Sequence, residues 1–181
     1  MPKVISGKLK GRKINGFDIL GTRPTMDRVK ESLFATIQNH LNNSIVLDLF
    51  SGSGNLGIEA ISNGSKIAYF NDFNKKCTNI IQENIINFNI DNQSIITNFD
   101  YHKALNYYIN NKIVFDIIFL DPPYKDHVNE EIMDIIINNN LLNKNGLIIC
   151  ETSYKMNYQN KSLKLYKEKK YSDKYLYIYK N

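Results

Sequence analysis

VLDLFSGSGNLGIEA, Val46 to Ala60, is the stretch that decides the fold of this 181-residue chain. Its first part is apolar apart from one acid, Asp48, and reads as a buried strand, IVLDLF (45–50). Residues 54–63 read as a helix, and Gly52, Gly54 and Gly57 lie in and beyond the turn between the two. Strand, GxGxxG turn and helix together are the fingerprint of a nucleotide-binding α/β sheet, in which the turn brings bare backbone close to a ligand.

Outward from this unit, strand and helix alternate. A short strand-like lead (Lys3–Ile14) comes first. PTMDRVKESLFATIQNHL (24–41) follows, with Val29, Leu33, Ile37 and Leu41 at the spacing of one helical face and Thr25 or Asp27 able to cap it. KIAYFN (66–71), SIITNF (94–99), KIVFDIIFL (112–120) and LIICE (147–151) read as further strands. Helices are expected between them at 75–87, 102–108 and 128–139. The closing strands SLKLYKEK (162–169) and KYLYIYK (174–180) lie close enough for an antiparallel hairpin at the edge. The expected fold class is α/β, a mostly parallel seven-stranded sheet covered on both faces. We expect one domain over 1–181, with a basic N-terminal extension and helix in 1–43 and the core in 44–181.

Composition sets limits on function. No stretch reaches the roughly 18 apolar residues of a membrane span, and MPKVISGKLKGRK lacks the apolar region of a signal peptide, so a cytoplasmic location is expected. Cys77 and Cys150 stand alone, without zinc-site or disulfide spacing, and read as small buried residues; no metal is expected. His40, His102 and His127 have no triad or ligand spacing. The net charge of +5 is unevenly distributed: residues 1–33 carry eight basic against three acidic groups, residues 161–181 seven against two, and residues 34–160 eight against thirteen. Basic ends on an acidic body suit a polyanion reader, since phosphate contacts supply affinity without sequence information. Lys8, Lys10, Arg12 and Lys13 are the leading candidates for RNA contacts. The abundance of Asn, Ile and Lys fits an AT-rich genome and needs no structural explanation.

Ligands in such sheets bind beyond the carboxyl ends of the strands, where strand order reverses. Asp72 follows the second strand, about 20 residues after the glycine turn, where a ribose-binding acid belongs. Both a nicotinamide dinucleotide and S-adenosylmethionine meet this pattern, and Asp48 separates them. A carboxylate at the lip of the turn repels a pyrophosphate but attracts the ammonium and sulfonium of S-adenosylmethionine, so S-adenosyl-L-methionine is the expected cofactor. Phe50, Ser53 and Gly54 in the turn and Phe73 after Asp72 join the cofactor set. Asp100 stands where it could accept an adenine amine or cap the following helix.

FDIIFLDPPYKD (115–126) holds two of the chain's four prolines. Each fixes φ and removes a backbone donor, leaving a stiff corner with bare carbonyls. The Asp121 carboxylate and the Pro122 carbonyl then offer two acceptors to a planar NH2 group, and Tyr124 offers a stacking face. A nucleobase amine is a poor nucleophile because its lone pair is delocalised into the ring. Accepting both hydrogens favours a pyramidal nitrogen aimed at the methyl donor, and the base must be single-stranded or flipped out to reach the corner.

At these residues the chain resembles a known family. A [DNS]PP[YFW] corner with a glycine-rich first turn marks amino-group methyltransferases. TRPTMDRVKESLF (22–34), VLDLFSGSGNLGIEA (46–60) and FDIIFLDPPY (115–124), in this order, resemble the bacterial RsmD family, which methylates guanine N2 of 16S ribosomal RNA. The lead KVISGKLKGRKI is similar to that family's start, so the resemblance spans nearly the whole chain. It implies a Rossmann-like class I methyltransferase fold, S-adenosyl-L-methionine as donor, and 16S rRNA in an assembling small subunit as partner of a monomeric enzyme. By motif it assigns Asp48, Gly52 and Gly54 to the methionine end, Asp72 to the ribose, and Asp121 to Tyr124 to the guanine, with Arg23, Thr25 and Arg28 near the site and the RNA. Asp72 stands where the family usually has a glutamate, and Ser172 where a glycine is common. Two other function classes meet the same residues: an N6-adenine or glutamine-amide methyltransferase, and a non-catalytic RNA-binding module.

Overall fold

The first strand, β1 (Ile45–Asp48), lies in the interior of the sheet, and Val46, Leu47 and Asp48 are buried on its two faces. The computed structural model describes residues 2–16, 27–123 and 128–181. In chain order the elements are α1 (Asp27–Leu41), β1, α2 (Asn55–Ser62), β2 (Ile67–Asn71), α3 (Lys75–Phe88), β3 (Ser94–Thr97), α4 (Tyr101–Asn110), β4 (Phe115–Leu120), α5 (Asn129–Asn138), β5 (Leu142–Thr152), β6 (Lys164–Tyr171) and β7 (Lys174–Lys180). The sheet runs β3-β2-β1-β4-β5-β7-β6. β1 pairs in parallel with both β2 and β4, so strand order reverses at the β1/β4 junction. β7 inserts antiparallel between β5 and the outermost strand β6.

Two apolar layers cover the faces. One joins α1, α2 and α3 to Val46, Ile117, Phe119 and Ile149. The other joins α4 and α5 to Leu47, Leu49, Ile118, Leu120 and Ile148. The alternation along β1 and β4 is that of strands buried on both sides, which favours continuous apolar runs. α2 is buried on every side because α1 and the N-terminal segment close over it.

The lead differs from its reading as a strand. Residues 2–14 make one isolated antiparallel bridge, Lys3 to Lys13, around a 3-10 turn at Gly7–Leu9. Gly7 explains why: at φ 74° its Cα sits so near α2 that a Cβ would fall 1.9 Å from the Ser62 carbonyl oxygen. Val4, Leu9 and Ile14 are buried in the first apolar layer, so this segment is part of the core as well as a basic extension. β5 begins earlier than LIICE and shifts register between Phe115 and Ile117 of its partner. The expected α1 start at Pro24 and Thr25 lies outside the described residues, and Asp27 stands in the helix's first turn. Ser172, in the two-residue turn between β6 and β7, adopts φ 51°, the left-handed conformation that the family's glycine would take without cost.

Asparagine has a structural role after all. Asn43, Asn89 and Asn140 take positive φ just beyond α1, α3 and α5, the position usually held by glycine. Asn tolerates this conformation better than other L residues because its short amide can bond locally.

Candidate active site

β1 delivers Asp48 to the carboxyl end of the sheet, and the turn that follows is shaped by two positive-φ glycines, Gly52 (55°) and Gly54 (82°). The turn is held from several sides. Ser51 donates its backbone N–H to the Asn71 carbonyl at 2.9 Å and its hydroxyl to the Asp48 carbonyl at 2.7 Å. Asn84 on α3 donates to the Ser53 carbonyl at 3.0 Å. Gly57 has a different function: a Cβ there would lie 2.3 Å from Phe70 Cε1, so the third glycine lets α2 sit directly on β2.

Asp48 is buried, and its Oδ2 accepts the Gly57 N–H at 3.1 Å. Burial pushes its pKa up to about 7; the Gly57 bond opposes this and the nearby Asp72 adds to it. Burial and the neighbouring acid both favour the protonated form of Asp48, and a cation beside it would favour the carboxylate. Asp72 is also buried. Its Oδ2 accepts from Gly52 at 2.9 Å and its Oδ1 from Asn74 at 2.8 Å, and burial raises its pKa against these bonds. Phe73, just beyond, is 68% exposed and presents a ring at the lip of the site. Phe50 is partly buried, its ring 6.0 Å from that of Tyr101. Asp100 caps α4, accepting the Lys103 N–H at 3.0 Å, and this bond with Lys103 holds its pKa low. Of the two roles open to Asp100, the structure displays the cap.

Three asparagines at this end escaped sequence reasoning because the general abundance of Asn hid them. Asn71 donates to the Leu49 and Phe99 carbonyls, both at 3.1 Å, tying the ends of β1 and β3 together. Asn98 donates to the carbonyls of Asp72 and Phe73, and Asn84 to those of Asn15 and Ser53. The only available signal was position, at a strand end for Asn71 and Asn98; nothing in the sequence marks Asn84.

Asp121 follows β4, the strand next to β1, so the two acids stand at neighbouring strand ends. Pro122 is buried and Pro123 exposed. Loss of solvent raises the Asp121 pKa well above its usual value; Glu151 and Asp48 add to this, while Lys174 opposes it. Tyr124, Arg23 and Thr25 lie outside the described residues. Glu151 on β5 and Lys174 on β7 form a buried ion pair that the sequence did not single out.

Two basic residues of the lead, Lys8 and Arg12, lie toward the other end of the sheet. Lys8 donates to Gln93 at 2.7 Å, and Gln93 donates to the carbonyls of Ser65 and Lys66 just before β2. Arg12 lies over the Phe88 ring, 4.5 Å from its centre, and donates to the Asn87 and Phe88 carbonyls at the C-terminus of α3. Lys8, Lys10 and Lys13 are exposed, as is Arg28 on the first turn of α1. Arg12 thus closes a helix end, and the lead then runs back toward the glycine turn, where Asn15 exchanges hydrogen bonds with Asn84. Among the described residues no group of His, Cys, Asp and Glu is arranged to hold a metal, and no helix is long and apolar enough to cross a membrane.

Sheet order, glycine turn and proline corner define a Rossmann-like class I methyltransferase. The solved structure named "Putative methyltransferase yhhF", from Escherichia coli, superposes with a TM-score of 0.87 at 26% identity, over 99% of this chain and 97% of that one. The chain belongs to the family described as conserved hypothetical protein 95, the RsmD family, whose model matches residues 2–180. Ribosomal RNA small subunit methyltransferase D of Buchnera aphidicola is 36% identical over 97% of this chain and 91% of its own length. The Haemophilus influenzae protein of the same name is 34% identical over 83% of this chain and 78% of its own.

Proposed function

We propose that this protein methylates small-subunit ribosomal RNA, with S-adenosyl-L-methionine as donor and the N2 amine of a guanine as acceptor. The observation that carries the reading is the pairing of Asp48 and Asp121 at the ends of adjacent strands, one acid suited to a cation and the other to an amine. Relatives named for rRNA methylation at 36% and 34% identity support the RNA substrate.

The residues fit the donor. Buried Asp48 matches an ammonium, the positive-φ glycines let backbone approach closely, Asp72 can take a ribose hydroxyl, and Phe73 can lie against the adenine. The bound donor supplies an electrophilic methyl carbon on a sulfonium sulfur. Asp121 and the Pro122 carbonyl accept the two amine hydrogens and turn the nitrogen lone pair out of the ring. As the N–C bond formed, the S–C bond would break with its electron pair left on sulfur, giving S-adenosylhomocysteine, and the nitrogen would shed a proton that the Asp121 carboxylate is positioned to take. The raised proton affinity of Asp121 serves that step. Guanine presents N1–H beside its amine, and two adjacent donors suit the two oxygens of a carboxylate; adenine presents a ring acceptor there, which a carboxylate repels. Tyr124 would stack on the base, and Arg23, Thr25 and Arg28 would lie along the RNA.

The reading makes the chain a single methyltransferase domain, a monomer working in the cytoplasm on a partly assembled particle. Small subunits from a strain lacking the gene, incubated with labelled S-adenosylmethionine, should gain N2-methylguanine at one position of 16S rRNA. Label recovered as N6-methyladenine or on a protein glutamine would move the function to the alternative class, and no methyl transfer at all would favour a binding module. Asp121→Ala should slow single-turnover transfer by orders of magnitude with near-normal affinity for the donor.

A further inference from the structure

The buried ion pair Glu151–Lys174 lies where it can act on the proline corner. The register Leu120 to Cys150 places Asp121, the next residue of the β4 chain, beside Glu151. Glu151 pairs in turn with Leu176 on β7, and Lys174 begins that strand. Both members of the pair are buried, at 6% and 8% exposure, and their side chains are in direct contact across the β5–β7 seam. A buried ion pair seldom raises stability over apolar packing, so its position next to a reacting carboxylate needs another explanation.

We propose that Lys174, held by Glu151, is a positioning residue for Asp121: its ammonium favours the carboxylate form of Asp121 as an acceptor, against the neighbouring acids. The inference rests on the methyl-transfer role given to Asp121 above. Among the described residues, the charged groups that act on Asp121 are Glu151 from β5, Lys174 from β7 and Asp48 from β1. Two of the three are acids and only Lys174 favours the ionised form, against the loss of solvent. An acceptor carrying a proton offers the amine one lone-pair site fewer and cannot take the nitrogen's proton. Without Lys174, Asp121 would face Glu151 and Asp48 with no described cation nearby. Without the Glu151 charge, Asp121 would lose one of the two acids that oppose its ionisation.

The two substitutions therefore act in opposite directions on one observable. In Lys174→Met, the acidic limb of the rate–pH profile should move up by about one pH unit or more, with activity recovering at alkaline pH. In Glu151→Gln, close in shape to wild type, the limb should move down. Lys174→Arg should restore the limb toward its wild-type position. In the Asp121→Asn background neither substitution should shift what remains of the limb. Carbon-13 NMR titration of the Asp121 carboxyl, assigned by its loss in Asp121→Asn, reads the same ionisation without activity and covers a variant that turns over too slowly. S-adenosylhomocysteine affinity and thermal unfolding report whether each variant is folded.

Limbs and carboxyl titrations that stay at wild-type pH in both folded variants, or that move the same way, would overturn the proposal. Normal single-turnover transfer by Asp121→Ala would instead remove the methyl-transfer role of Asp121, and the NMR shifts would still show whether the pair controls its ionisation.

Discussion

The Asp48 carboxylate accepts the Gly57 N–H at 3.1 Å and so ties the last residue of β1 to the first turn of α2. One hydrogen bond does not offset the loss of water, and the pKa rises to about 7. An acid whose folded pKa lies above its unfolded value contributes stability that is fully present below the unfolded value, here 3.8, and is lost as pH rises through the folded one. An arriving ammonium reverses the preference by favouring the carboxylate.

Cofactor binding should therefore release a proton near neutrality. S-adenosylhomocysteine, which keeps the ammonium, should bind more tightly at about pH 8 than at about pH 6, and its calorimetric heat should change with buffer ionisation enthalpy. Asp48→Asn should weaken binding by about tenfold or more and abolish the pH dependence, the loss of one charge-assisted contact. In the free state the same variant should melt higher than wild type at alkaline pH. Equal, buffer-independent heats would show that Asp48 does not meet the ligand.

Lys30 and Glu59 form an ion pair at 3.1 Å with both side chains fully buried. Glu59 also accepts from the backbone N–H groups of Ile5 and Ser6, and Lys30 donates to the Lys3 carbonyl and to Asn55. Either single substitution, Glu59→Gln or Lys30→Met, should cost about 3–5 kcal/mol by leaving a buried charge without its counter-ion. The double variant should lose less than the sum of the two, because neither charge then remains. Denaturant unfolding measures the cycle, and additive losses would show that the two groups act separately.

Gly57→Ala tests the close approach of α2 to β2. Its Cβ would meet the fully buried Phe70 ring, at a cost of about 1–3 kcal/mol for overpacking. Phe70→Leu should relieve part of that cost in the double variant, seen as a higher melting temperature than the additive sum predicts.

Lys8, Lys10 and Lys13 should be separable from Arg12. Replacing the three lysines with Ala should reduce the salt dependence of RNA binding by roughly 0.7–0.9 in slope per lost phosphate contact and lower stability only by the loss of the exposed Lys8–Gln93 bond. Arg12→Ala should instead destabilise the fold by about 1 kcal/mol, through loss of its bonds to the end of α3. An unaltered salt slope in the triple variant would assign RNA holding to another surface, such as the exposed Lys161, Lys164 and Lys170.

Much of the site was legible because it is local. IVLDLF, the three glycines and DPP each impose backbone geometry within a few residues, and the apolar face Val29, Leu33, Ile37, Leu41 has a helical period whatever surrounds it. The same locality misled the reading of the lead as a strand and hid the partners of Arg12. A basic residue among glycines reads as a free cation until Phe88 and the α3 carbonyls come under it. Asp100 carried both roles in the sequence, and only the N–H of Lys103 distinguishes the cap.

By itself the sequence determined the strand–turn–helix unit, the alternation that makes the sheet parallel, and the two acids at strand ends, since steric preference and hydrophobic period act between near neighbours. Tertiary structure alone decided which buried charges meet. Lys30 finds Glu59, and Lys174 finds Glu151, only when helices and strands far apart in the chain are stacked. A charge removed from water is stabilised by whatever lies within a few ångströms in space, and distance along the chain does not specify that partner.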